Sequence, residues 1–424
     1  MLRFLIKNGY VFDEAGNASL KDVLVSDGII MEIGKIKNAE GYYIIDAEEN
    51  YILPGFIDMN CNVCDPGYEN KENIMSVSRS ASKGGFSSIT VQPNTLPVVD
   101  NQTVVSYINT KSKKFSEINL FIYGSMTEGC DGTKMSEIGK MQKAGIIGIS
   151  DGGAPITDTS LMRNIFMYSK MFDMPVITMC KDGFLSDKGV MNSGKVSTSL
   201  GLIGIPREAE EIIVARNLIL AEHVGSKLHI SHVSTSGSVE LIRHAKARGV
   251  NVTCETQPHY FTLTEEDVKG YNTFNKVMPP LRTHEDVEAI KQGLVDGTID
   301  VISTGHSPDT IESKQVEFDV ASYGISALET TFPISYKYLV EAGYLTFFEL
   351  VKKLSFNPAG ILNLKDKGLI KKNYDADIVI VDIKKPYTID PSSFASRAKY
   401  SPYKGYEVRG NVVYNFVGGH VVYL

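Results

Sequence analysis

Short apolar runs ending at polar or turn residues recur along the whole chain, and their texture changes twice. Over residues 1–52 the runs are Phe4-Leu5-Ile6, Val23-Leu24-Val25 and Tyr43-Ile44-Ile45, with the turn pairs Asn8-Gly9 and Asp27-Gly28 between them. That is the pattern of short strands joined by tight turns. The C-terminus repeats it in Ile378-Val379-Ile380-Val381, Val412-Val413-Tyr414, Phe416-Val417 and Val421-Val422-Tyr423. Two β-rich ends around a long middle predict one small β-sandwich domain built from both termini, residues 1–53 plus 366–424.

The middle alternates apolar runs with helix-like stretches. Its runs are Phe56-Ile57-Asp58, Ser88–Val91, Leu120–Tyr123, Ile146–Ile149, Pro175–Thr178, Leu228–His232, Val250–Cys254 and Val301–Thr304. A polar loop follows each, and in most cases a helical pattern such as Ile212–His223 or Val239–Arg248. Eight such units with strands buried on both faces predict an α/β fold, a (β/α)8 TIM-like barrel over 54–365. Chemistry in these barrels gathers where the strands end. That rule places Asn60, Asn62, Gln92, Asp151, Met179, His232, Glu255 and Gly305 around one cleft.

The length of 424 residues suits such a barrel with a smaller domain beside it. A formal net charge of -7 argues against a nucleic-acid partner. No apolar run approaches the ~20 residues of a membrane span. Met1–Gly9 has no signal-peptide core, so a cytoplasmic location is expected. Five cysteines make a disulfide framework an unsuitable reading. Cys61 and Cys64 are spaced as a redox or metal pair, but in an extended segment Cys61 points away from the face shared by Asn60, Asn62 and Cys64.

Several segments share a recognisable frame: Leu53-Pro54-Gly55-Phe56-Ile57-Asp58, Lys83-Gly84-Gly85-Phe86, Gln92-Pro93-Asn94-Thr95, Asn192-Ser193-Gly194, His232-Val233-Ser234-Thr235, Pro279-Pro280-Leu281-Arg282, Leu328-Glu329-Thr330, Asn357-Pro358-Ala359 and Ala376-Asp377-Ile378-Val379. In this order and spacing the chain resembles, from end to end, the dihydroorotase branch of the cyclic amidohydrolases. The resemblance implies one or two divalent metals, usually zinc, which polarise a ring amide and activate water. It also implies ligand positions, and most are altered here. The paired histidines of the first strand are Asn60 and Asn62. The acidic pair after the fourth strand reads Asp151-Gly152-Gly153, with the lost ligand at Gly152. The fifth-strand histidine is Met179, and only His232 is retained from the sixth. The eighth-strand motif reads Gly305-His306-Ser307-Pro308-Asp309, so the proton-shuttling aspartate is Gly305. The substrate arginine is replaced by Cys64, a contact asparagine by Met278, and the closing histidine by Asp309, which would repel an anion. Asn94 survives.

Other candidates have plainer readings. His229 and His259 are structural, and His306 packs under its loop. Lys181 pairs with Asp151, Asp182 or Asp309, taking the place of a cation. Asp58 braces a loop, and Glu208 and Glu210 are helix-start charges. Asp58, Asp151, Asp182 and Asp309 could gather a hard ion, but their neighbours do not form an oxygen cage. Ser231 or Ser234 could join a Ser-His-Asp set, without an elbow motif.

These observations predict a dihydroorotase-like protein of pyrimidine biosynthesis that has lost its metal site, has no catalytic residues and binds no cofactor. By the same resemblance it is expected to form a homo-oligomer and to be a structural partner of aspartate transcarbamoylase. Two alternatives stand beside it. One is an active dihydroorotase or other cyclic-amide hydrolase, hydantoinase- or allantoinase-like, with an atypical site. The other is a binding module whose cleft, lined by Asn60, Asn62, Asn94 and His232, holds a ureide or orotate.

Overall fold

The eight apolar runs of the middle segment form eight parallel strands: Phe56–Cys61, Phe86–Val91, Asn119–Ser125, Gly148–Ser150, Val176–Met179, Leu228–Ser231, Val252–Thr256 and Val301–Ile302. The computed structural model describes residues 3–38 and 40–424. Each strand hydrogen-bonds to the next in chain order. Helices such as Ile74–Lys83, Gln102–Phe115, Glu208–Val224 and Ser236–Ala247 return the chain between them. Side-chain caps start several of these helices: Asn73, Asn101 and Thr235 each accept a backbone N–H of the first turn. This is the (β/α)8 barrel that the run pattern predicts.

The eighth strand is regular over only two residues, so the ladder alone does not close the ring. Side chains complete it. Thr304 donates from its backbone N–H (2.8 Å) and its hydroxyl (2.6 Å) to the Asp58 carboxylate. Cys61 then pairs with His306, and the Asn62 N–H donates to the His306 carbonyl at 2.8 Å. Asp58 is fully buried, and burial pushes its carboxyl up to about 7 against the pull of the Thr304 and Asn60 hydrogen bonds. It braces the first strand to the eighth.

Packing holds the layers together. Phe56, at the start of the first strand, lies 5.7 Å from Phe86 and 4.9 Å from Phe332, ring centre to ring centre. All three rings are buried. Truncating Phe56 to alanine would cost about 3–5 kcal/mol.

Strands from both ends of the chain join one eight-stranded sheet. From the N-terminal side come Arg3–Phe12, Ala18–Ser26, Ile29–Gly34, Tyr43–Asp46 and Tyr51–Pro54, and from the C-terminal side Ile378–Asp382, Asn411–Val417 and His420–Tyr423. Tyr51–Pro54 pairs antiparallel with Ile378–Asp382, which unites the two termini. Phe4, Ile6, Val23, Val25, Ile378 and Phe416 share its core. No helix among the described residues is long and apolar enough to cross a membrane.

Candidate functional site

A cleft with about 740 Å³ of free space, open solvent included, lies at the ends of the barrel strands. Asn60, Asn62, Gln92, Asn94, Asp151, Gly152, Met179, His232, Met278 and Gly305 all line it. The sequence pattern therefore brings most of its site candidates together. Glu255 lies buried against Asn60, outside the lining.

Asn60 organises the floor. Its Nδ2 donates to Glu255 Oε1 at 2.7 Å and lies 3.1 Å from His232 Nδ1. Gln92 reaches the Asn60 Oδ1 at 3.5 Å, and Ser150 donates to Gln92 Oε1 at 3.0 Å. Burial opposes ionisation of Glu255, but His229, His232 and Asn60 outweigh it and hold the carboxyl below its ordinary range. A carboxylate only accepts, so the Asn60 atom facing it is the amide nitrogen. An amide N–H only donates, so His232 Nδ1 must present its lone pair. The neutral ring then carries its proton on Nε2. Burial lowers the His232 pKa to about 4, so the ring is neutral at physiological pH.

Neighbouring side chains crowd the space beside Gly305 and Gly152. Gly305 sits at φ 60°, and a Cβ there would lie 2.7 Å from Gln257 Cγ and 3.3 Å from His259 Cε1. The Gln257 amide is held by Ser303 Oγ at 2.8 Å and by Glu255 Oε1 at 3.4 Å. Gln257 thus takes the space that an aspartate at Gly305 would need. A Cβ at Gly152 (φ 59°) would meet Cys130 Sγ at 3.1 Å and Pro93 Cγ at 3.3 Å. Asp151 is itself committed, accepting from Thr178 Oγ1 (2.7 Å), the Met179 N–H (2.9 Å) and the Gly153 N–H (3.0 Å). Burial pushes its carboxyl up to about 6.

Other candidates sit elsewhere. Cys64 does not share the cleft with Asn60 and Asn62: the strand ends at Cys61, and Cys64 turns away at φ 62°. Burial pushes its thiol up to about 12, and Cys61 and Cys64 are not bonded to each other. Lys181 lies outside the lining and makes no ion pair among the described residues, so it does not replace a cation. Asp309 is paired instead with Lys71 at 2.8 Å and does not line the cleft, so it cannot repel an anion there. Glu210 lies in the first turn of the helix Glu208–Val224, as a helix-start charge should, but away from solvent. It is buried, accepts from the Ser234 (3.0 Å) and Thr235 (3.3 Å) N–H groups and from the Ser234 hydroxyl, and faces Arg282 at 3.9 Å. That bond takes Ser234 out of any triad with His232. His306 is buried, with Nε2 3.6 Å from Glu72.

His259 and Gln257 are the residues that sequence reasoning undervalued. His259 lines the cleft, with a buried Nδ1 that has no hydrogen-bond partner. Gln257 lies two positions beyond Glu255, and the two-residue period of a strand carries that face onward. Tyr323 and Gly324 also line the cleft, from the long loop after the eighth strand. That loop has no periodic signal to announce it.

Hydrolytic zinc takes imidazole, thiolate or carboxylate donors. The cleft offers amides, thioethers, glycines, the imidazoles of His232 and His259 and the Asp151 carboxylate; His232 Nδ1 faces the Asn60 amide, and Asp151 is already bound by Thr178 and by backbone N–H groups. Among the described residues no three or more His, Cys, Asp or Glu side chains converge as a metal site. Asp58 and Asp309 are spent on Thr304 and Lys71, and Asp182 on turn N–H groups. The residues present do not fit the zinc that the resemblance implies.

Residues 49–238 match the family model described as Dihydro-orotase-like. A Dihydroorotase from Acetivibrio thermocellus is 48% identical over 419 residues, 99% of this chain and 98% of that protein. One from Geobacter metallireducens is 47% identical over 424 residues, covering all of both chains. Among solved structures, the L-hydantoinase (dihydropyrimidinase) from Arthrobacter aurescens superposes with a TM-score of 0.90 at 26% identity, over all of this chain and 96% of that one.

Proposed function

The chain belongs to the dihydroorotase-like family of the amidohydrolase superfamily, and from that premise we propose that it is a non-catalytic member, keeping the fold and the cleft without the metal-assisted hydrolysis. The observation that carries this reading is the place of Asn60. Its amide sits between Glu255 and His232 (2.7 and 3.1 Å), fixing His232 as an acceptor at Nδ1. The filling of the Gly305 space by Gln257 supports the same reading, because a catalytic carboxylate there would collide with it. With no acid–base group at Gly305, proton transfer to a leaving amide has no donor at that position. Dihydroorotate and carbamoyl-aspartate turnover, assayed in both directions with zinc supplied, tests the proposal. It predicts no turnover above background, and zinc-dependent turnover overturns it.

A second reading, retained cyclic-amide hydrolysis at an atypical site, has one observation in its favour. Relatives nearly half identical along their whole length carry the name Dihydroorotase. The same assay separates the two.

A fold retained without its reaction needs another use. We propose that this use is association, with copies of itself and, as the resemblance implies, with aspartate transcarbamoylase in pyrimidine biosynthesis. Sedimentation of the two proteins together tests this: a joint boundary supports it, and two independent species count against it.

A further inference from the structure

The cleft lining has an unusual charge inventory for a site in a family that handles an anionic ring. No lysine or arginine contributes to it, and its one carboxylate, Asp151, is already bound by Thr178, Met179 and Gly153. The nearby cation Arg282 is spent. Its Nη1 donates to Asn192 Oδ1 at 2.8 Å and to the Ile205 carbonyl at 3.0 Å, and the side chain is buried. An anion entering this cleft would shed part of its water and meet no cation in the lining, a net cost for a charge left unpaired.

What the cleft does offer is uncharged hydrogen bonding. Because the Asn60 amide fixes the lone pair of His232 on Nδ1, the opposite nitrogen is an N–H donor, and it makes no hydrogen bond among the described residues. A metal ligand gives a lone pair; this nitrogen donates a hydrogen bond instead. Asn62 Oδ1 is an acceptor with no partner, since the amide's hydrogen bond is made from Nδ2 to Ser307 Oγ at 3.1 Å. Asn94 is exposed at the rim. The neutral His232 donor, in a lining that has no lysine or arginine among the described residues, matches the carbonyl of a cyclic amide.

We infer that the cleft is a receptor for an uncharged, carbonyl-bearing ring, with the His232 Nε2–H as its donor, and that it discriminates against the same ring carrying a carboxylate. The inference rests on the non-catalytic reading above. It turns the remaining family histidine from a metal ligand into a ligand-binding donor, and it reverses the charge preference of the site. No bond is made or broken in it.

The matched probes are 5,6-dihydrouracil and L-dihydroorotate, which share a ring and differ by one carboxylate. Calorimetric titration of the full chain at neutral pH should show dihydrouracil binding at least about tenfold more tightly than dihydroorotate, a difference of about 1.4 kcal/mol. Side-chain 15N spectra of the unliganded protein should show His232 protonated at Nε2, and dihydrouracil should shift that resonance. His232→Phe should abolish binding. Equal or tighter binding of dihydroorotate, no binding of dihydrouracil, or an Nδ1-protonated His232 would each overturn the inference. The 15N measurement uses the wild-type chain, so it stands if His232→Phe fails to fold. Hydrolysis of either probe, followed in the same samples, would instead sink the non-catalytic reading and leave the order of affinities to be judged on its own.

Discussion

Gly305→Asp would install the carboxylate that the family resemblance implies at this position, and the structure predicts that it damages the protein instead. Residue 305 lies at φ 60°, a conformation aspartate adopts at a cost of roughly 1 kcal/mol. Its new Cβ would stand 2.7 Å from Gln257 Cγ and 3.3 Å from His259 Cε1. Overpacking of that kind costs about 1–3 kcal/mol. The expected loss is therefore about 2–4 kcal/mol, with no activity gained. Gln257→Ala alone should also destabilise, since it empties the space and removes the donor to Ser303. In the double variant the collision is gone, so the two losses should sum to more than the double loss, with a coupling of at least about 1 kcal/mol. Urea midpoints of the wild type, both single variants and the double variant close the cycle. A Gly305→Asp loss under about 0.5 kcal/mol, or strict additivity, would refute the idea that Gln257 occupies the aspartate's space.

Further expectations follow from other buried groups. His259 is held neutral, its pKa lowered by burial to about 3, so the unfolded chain takes up its proton first as pH falls below about 6.5. Its contribution is complete above that pH and is lost as pH falls toward 3, about 2 kcal/mol by pH 5. Asp58 and Asp151, pushed up to about 7 and about 6, act in the opposite sense, losing stability as pH rises. The difference between wild type and His259→Phe in urea midpoints at pH 7 and pH 5 isolates the histidine, and parallel profiles would contradict the assignment. Glu210→Ala should cost about 3–5 kcal/mol because it strands Arg282 and two backbone N–H groups, while the exposed Glu208→Ala should stay within about 0.5 kcal/mol. Denaturant titration of the pair decides this. Lys314 is buried, and its Nζ donates to the Ser322 (2.7 Å) and Gly324 (2.9 Å) carbonyls, tying down the loop that carries Tyr323 to the cleft. Lys314→Met should speed amide exchange across 318–324 while leaving the barrel strands protected; unchanged exchange there would show that the lysine does not hold the loop.

Much of the architecture was legible because burial on both faces writes itself as uninterrupted apolar runs, and all eight barrel strands overlap the runs read from the chain. The cleft was legible for a related reason, since strand ends fix which residues meet. Failures came where the chain leaves the strand. Cys64 was placed by extending an alternation that stops at Cys61. Asp309 is placed in the cleft by the resemblance and Lys181 by its charge, but partners from distant segments, such as Lys71, decide charge pairing and carry no local signal. The burial of the helix-start Glu210 has no local signal because its partners, Ser234 and Arg282, lie 24 and 72 positions further along the chain. Gln257 was passed over because a polar residue gains meaning there only once the empty space at Gly305 is seen beside it.

Amide, thioether and glycine stand where the family resemblance implies the donors of a hydrolytic metal site. Metal content tests this reading most directly. Protein purified without chelator, exposed to excess zinc and desalted, should carry zinc far below one ion per chain and should not interconvert dihydroorotate and carbamoyl-aspartate. Zinc near one ion per chain or above, together with turnover, would contradict the account.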